Sequence, residues 1–141
     1  MVGQVKASLD YINYVDTLHE VKHMKLLDIS GILNAQVLTG NELLDYEVTS
    51  ACGSDLMSDV MAYVTENVVL LTGLINLQVI RTAEMMDIKA VIFVRGKQPL
   101  DNMIELAKEK NIVLMSTNLT MFIACGRLYE AGLKNNSAAG R

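Results

Sequence analysis

The feature that most constrains this chain is a unit that occurs three times in succession: a short apolar run, a polar loop, then an amphipathic stretch. The runs are Val68-Val69-Leu70-Leu71, Ala90 to Val94 and Ile112 to Met115. Each is continuous rather than alternating, the pattern of a strand buried on both faces. The loops are Thr72-Gly73, Arg95-Gly96-Lys97-Gln98-Pro99 and Ser116-Thr117-Asn118. Helices are predicted over Asn76 to Met86, over Leu100 to Lys110 with Pro99 suited to the first turn, and over Leu119 to Ala131 with Gly132 as a left-handed cap. Repeated strand, loop, helix units require crossover connections. The expected class is therefore α/β, a three-layer α/β/α arrangement with a mainly parallel sheet and right-handed crossovers.

Upstream of this repeat the texture is shorter and more varied. Lys25 to Leu33 has a helical pattern, Ala35 to Leu38 reads as a strand, and Thr39-Gly40-Asn41-Glu42 as a turn. Leu44 to Cys52 reads as a second extended piece, after which Ser54 or Asp55 is suited to cap a helix whose first turns hold Ser58 and Asp59. At the start of the chain Val5, Leu9, Ile12, Val15 and Leu18 fall at spacings of four and three, an amphipathic helix ending near Val21. His23-Met24 resembles a cloning junction, so residues 1–23 are an N-terminal helical extension, either added or native. The domain proper is expected over residues 24–133, with residues 134–141 as a flexible tail.

Composition narrows the partners. Twelve Lys+Arg against 16 Asp+Glu give a net charge of −4, which leaves no basic footprint for nucleic acid or an anionic membrane surface. The apolar-rich run Val68 to Ile80 is interrupted by Thr72, Gly73, Asn76 and Gln78, too short and too polar to span a bilayer. Met1 to Asp10 has no apolar core of a secretory leader, and Cys52 and Cys125 stand 73 positions apart, so buried thiols in a cytoplasmic protein are expected. A hydrophobic content of 51% against 20% charged residues predicts an apolar helix face left over once one small core is filled, hence a homodimer or higher homo-oligomer. Met57, Met61, Met85, Met86 and Met103 suit either gap-filling core positions or that face.

Two patterns bear on chemistry. His19-Glu20-Val21-Lys22-His23 matches H-E-x-x-H, which binds zinc when both His share a helix face. A metzincin would continue with Gly and a third His where Leu26 and Ile29 stand, so the expected role is a solvated helix face without metal. The second pattern is topological. In an open parallel sheet the loops after the strand carboxyl ends gather at one edge, where backbone N–H groups face solvent. That edge brings together Thr72, Gly73, Asn76, Arg95, Gly96, Ser116 and Thr117, small, hydroxylated and basic residues suited to a phosphate or carboxylate. Neither a P-loop nor a G-x-G-x-x-G fingerprint occurs, so nucleotide hydrolysis and kinase chemistry are disfavoured and no cofactor is implied.

Asp55 to Met61, then Leu70-Leu71-Thr72-Gly73, then Ala90 to Gly96, then Ile112 to Thr117 resemble, in this order, the DRTGG domain family. The likeness runs from about Met24 to Leu133. It departs from the motif that names the family: Leu74-Ile75-Asn76 stand where Asp-Arg would follow the central strand, and Val94-Arg95-Gly96 where Thr-Gly-Gly would. Only Gly96 is kept. The resemblance implies a domain similar to the N-terminal domain of HPr kinase/phosphorylase, with the fold shared by Mur ligase N-terminal domains. It also implies that Ile32 to Gly40 and Leu44 to Val48 form an opening helix and hairpin. Such domains occur beside CBS pairs, within some phosphotransacetylases and as free-standing proteins. The kinase chemistry of that relative lies in a separate P-loop domain, so the resemblance implies a non-enzymatic regulatory or ligand-sensing domain. Such a domain, its ligand unknown, is expected to act through homo-oligomerisation and protein interaction; the alternative is a nucleotide- or phosphometabolite-binding module with its site at the strand carboxyl ends.

Overall fold

The computed structural model describes residues 22–134, and the helix expected over Val5 to Val21 lies outside them. The order is β1 (Met24–Lys25), α1 (Leu26–Ile32), β2 (Gln36–Thr39), a 3-10 turn (Asn41–Leu43), β3 (Glu47–Val48), β4 (Ser50–Gly53) and α2 (Met57–Tyr63). It continues with β5 (Val68–Thr72), α3 (Leu77–Met85), β6 (Ala90–Phe93), α4 (Asp101–Glu109), β7 (Val113–Ser116) and α5 (Met121–Glu130). Five strands form one sheet in the order β2-β7-β6-β5-β4, with β4 to β7 parallel and β2 antiparallel at the edge.

Every residue of β5, β6 and β7 is buried, as their unbroken apolar runs require. Alternate side chains feed two separate cores. Val69, Leu71, Ile92, Val113 and Met115 pack under α1 and α5 with Leu26, Ile29, Ala124 and Leu128. Leu70, Val91, Phe93 and Leu114 pack under α2, α3 and α4 with Val60, Val79, Ile80 and Met103. The three-layer α/β/α arrangement with a mainly parallel sheet is thus the observed one. Burial of each large side chain contributes roughly 1.5–3 kcal/mol, so the two layers hold the sheet from both sides.

Several local expectations are corrected. The proposed hairpin does not form: β3 pairs with β1 (Met24 opposite Val48), and β2 pairs with β7. The extended piece from Leu44 to Cys52 is therefore two strands in two different sheets. Neither Ser54 nor Asp55 caps α2; its N-cap is Leu56, without a side-chain bond. Ser116 ends β7, and Thr120 caps α5 instead, its hydroxyl accepting from the Ile123 N–H. Asn76 does cap α3, accepting from the Gln78 N–H at 2.8 Å. Pro99 precedes the N-cap of α4, Leu100, rather than entering the first turn. Met57 and Met103 are core residues, whereas Met61 and Met85 are exposed.

The register of β2 on β7 shifts between Val37 and Thr39. There the buried Thr39 hydroxyl donates to the Ile112 carbonyl at 2.8 Å and accepts from the Leu114 N–H at 2.9 Å, closing the break in the ladder. Thr39→Val keeps the shape and strands both backbone groups, so a loss of about 1–3 kcal/mol is expected in chemical denaturation. An unchanged midpoint would show that the bulge is satisfied in another way.

Candidate functional site

The parallel strands end at Gly53, Thr72, Phe93 and Ser116, and their following loops meet at one edge of the sheet. Of the seven residues expected there, four are held by the fold itself. The fully buried Thr72 donates its hydroxyl to Asp55 Oδ1 at 3.0 Å and accepts from the Leu74 N–H. Thr117 donates to the Leu33 carbonyl at 2.7 Å and accepts from the Leu119 N–H. Ser116 donates to the Lys97 carbonyl and accepts from Gln98 Nε2, and Asn76 is committed to its cap. These four shape the loops around the edge.

Of the other three, Arg95 is exposed and Gly73 and Gly96 are half-buried, and the expected solvent-facing N–H groups of all three are bonded within the fold. Arg95 takes the left-handed conformation (φ +57°), and so does Gly96 (φ +68°). Their N–H groups donate to the Leu119 and Thr117 carbonyls, each at 2.8 Å, which pins the turn to the loop after β7. The turn aims the exposed Arg95 side chain across Gly73, whose missing Cβ leaves the space that the guanidinium fills. A residue with a side chain holds this conformation at a cost of roughly 1–2 kcal/mol, and here that side chain is a cation. The guanidinium has no hydrogen-bond or ion-pair partner among the described residues.

Asp55, which the sequence offered as a helix cap, is instead a residue of this edge. Its carboxylate Oδ1 accepts from the Gly73 N–H at 2.6 Å as well as from Thr72, so it joins the β4 loop to the β5 loop. The usable signal was positional: Asp55 follows β4 directly, and the rule that gathers loops at the carboxyl edge includes that loop too. Asn118, exposed, lies beside Gly96, its Oδ1 3.0 Å from where a Cβ would project.

A groove of about 580 Å³ lies at the opposite edge, between Val64 to Asn67 and Met85 to Asp87. Its lining has Glu66 and Asp87 and no cationic side chain, so it does not suit an anion. Of the H-E-x-x-H residues, His19 and Glu20 fall outside the described residues, and His23 Nδ1 lies 3.4 Å from Glu47. Among the described residues no group of three or more His, Cys, Asp or Glu is placed to hold a metal, and no helix is long and apolar enough to cross a membrane.

The DRTGG domain profile matches residues 28–131. This chain belongs to the DRTGG domain family. No curated protein matches it. Among solved structures it is similar to the CBS and DRTGG domains of the regulatory region of Clostridium perfringens pyrophosphatase, a structure complexed with the activator diadenosine tetraphosphate. That likeness has a TM-score of 0.63 at 19% identity, covering 74% of this chain and 45% of the other. The chain thus spans less than half of the length of that relative, and at this identity the likeness shows the fold.

Cys52 lies in the edge strand β4 and Cys125 in α5, its Sγ beside Gly53, and both are partly buried. Burial pushes both thiols above their ordinary range, and Cys52 is raised further by the nearby Cys125 and Asp59. The fold favours the neutral thiols. Their contribution to stability is therefore complete below the pKa of the unfolded chain and is lost as pH rises through the higher folded values. Thiol alkylation at neutral pH is expected to be slower than for free cysteine, and the denaturation midpoint to fall above about pH 8.5. A Cys52→Ser, Cys125→Ser variant that shows the same decline would assign it to other groups.

Proposed function

We propose that this chain is a non-enzymatic regulatory domain that senses a nucleotide or phosphorylated metabolite at the carboxyl edge of its sheet. The observation that carries the reading is the Arg95 guanidinium, without a partner among the described residues and held over the Gly73 backbone by a left-handed turn. An exposed guanidinium without an acceptor, beside the exposed Lys97, is suited to charge-assisted hydrogen bonds with phosphate. The DRTGG-containing regulatory region in complex with a dinucleotide activator supports the ligand class. Thr72, Asn76, Ser116 and Thr117 then act as the framework of the site, and Gly73, Arg95 and Gly96 as its contact surface. Two free thiols suit a reducing compartment, here the cytoplasm.

In a thermal-shift screen of nucleotides, acyl phosphates and phosphorylated metabolites, at least one compound is expected to raise the melting temperature, less so at high salt. Arg95→Ala should abolish the shift. Arginine and alanine carry a similar backbone cost at this φ, so the variant isolates the guanidinium. A panel with no hit, or a hit that survives Arg95→Ala, would reject this site.

Homo-oligomerisation and protein interaction are the output we assign to the domain, and α5 supplies the surface. Phe122 is 83% exposed and Tyr129 61% exposed, and with Gly126 between them they fall at i, i+4 and i+7 on one helix face. Beyond its own stretch of helix, no atom of the described residues lies within 4 Å of where a Gly126 Cβ would project, so a second helix has room for close approach there. Light scattering of the wild-type chain should give a multiple of the 15.5 kDa monomer mass, and Phe122→Glu should reduce it. A monomeric wild type would remove α5 as a self-association face.

A further inference from the structure

The carboxyl edge carries more than a cation. Asp55 spends one oxygen, Oδ1, on both the Thr72 hydroxyl and the Gly73 N–H. Its other oxygen has no partner among the described residues, and the side chain is exposed. Arg95 approaches the same face of Gly73: its Cζ lies 3.1 Å, and Asp55 Oδ1 3.6 Å, from the point where a Cβ would stand. Two opposite charges therefore sit side by side, held from different loops, without forming an ion pair. One is fixed by hydrogen bonds to the β5 loop, the other by the turn that carries it.

This arrangement discriminates among anions. An acyl phosphate gains the guanidinium but meets the Asp55 charge a few ångströms away, with no donor to satisfy it. A ligand that carries a hydroxyl next to its phosphate meets both demands: the anion pairs with Arg95, and the hydroxyl donates to the free carboxylate oxygen. Sugar hydroxyls are read by carboxylates in this manner at the strand ends of other α/β sheets. We propose that the edge selects a nucleoside phosphate, with Arg95 taking the phosphate and the free oxygen of Asp55 taking a ribose hydroxyl. The proposal rests on the ligand reading above and adds Asp55 as the residue that sets specificity.

The test is calorimetric titration of the full chain with AMP, GMP, CMP and UMP, with their 2′,3′-dideoxy counterparts, and with acetyl phosphate. At least one ribonucleotide is expected to bind roughly tenfold more tightly than its dideoxy counterpart, and acetyl phosphate more weakly still; the site is exposed, so the discrimination is smaller than at a buried one. Asp55→Asn keeps an acceptor for Thr72 and Gly73 while removing the charge. It should reduce the ribose preference severalfold, whereas Arg95→Ala should weaken ribose and dideoxy forms alike. Equal binding of the two forms by the wild type, or a preference unchanged in Asp55→Asn, overturns this proposal, and an Arg95-dependent affinity would leave the ligand reading standing. No binding of any probe overturns both. The wild-type comparison needs no variant, so it decides the matter even where Asp55→Asn destabilises the fold.

Discussion

Three central strands without a single exposed residue impose the rest of this architecture. A strand apolar on both faces must be covered twice, and in a chain this short the helices that cover it are also the connections between strands. Each connection has to leave one end of the sheet and return to the other. The consequence is positional: loops that follow the parallel strands collect at one edge, and the turns that lead from helices back into parallel strands collect at the opposite one. The candidate site is thus a by-product of burial, and the polar groups of β4 to β7 loops meet there because the apolar ones could not.

Four of the five described helices end with one solution. Helices α1, α3 and α4 are followed by Asn34, Asp87 and Asn111, all with positive φ, and α5 by Gly132. In each case the residue after the left-handed one donates back to the last turn: Ala35 to Ser30, Ile88 to Ala83, Ile112 to Ala107, Leu133 to Leu128. The apolar residue then continues toward the core, and Ile88 and Ile112 are buried. Asparagine and aspartate tolerate this conformation better than other side chains, which lets the chain stop helices without many glycines.

That choice explains part of what could be read beforehand. The buried runs named β5, β6 and β7 within a residue or two, since continuous apolarity has one structural outcome once helices flank it. The cap at Gly132 was legible because glycine signals a left-handed turn directly; Asn34, Asp87 and Asn111 carry the same turn with residues that occur in many other settings. The opening segment was misread for a different reason. Gln36 to Thr39 and Glu47 to Val48 are short strands whose partners, β7 and β1, are fixed by tertiary packing, and local sequence suggests a hairpin simply because they are neighbours. Hydroxyl groups were misassigned for a related cause: Thr72, Ser116 and Thr117 look like ligand donors in sequence, but buried hydroxyls at strand ends must bond to the protein first.

The site itself shows how a family motif can lapse while its location persists. The loop after β5 lacks the Asp-Arg of the family name and has Leu74-Ile75-Asn76 instead, yet a carboxylate and a guanidinium still stand over that loop. They arrive from Asp55, one loop to one side, and Arg95, one loop to the other. Gly73 makes the substitution geometrically feasible, because any side chain there would displace the guanidinium. Gly96 completes the turn: its own N–H donates to the Thr117 carbonyl, and its left-handed φ lets the Lys97 N–H return to Val94. The retained glycine and the replaced one thus have separate reasons: position 96 must turn, whereas position 95 tolerates the turn and carries the charge. A carboxylate and a guanidinium supplied by two flanking loops thus converge on the backbone of the loop between them.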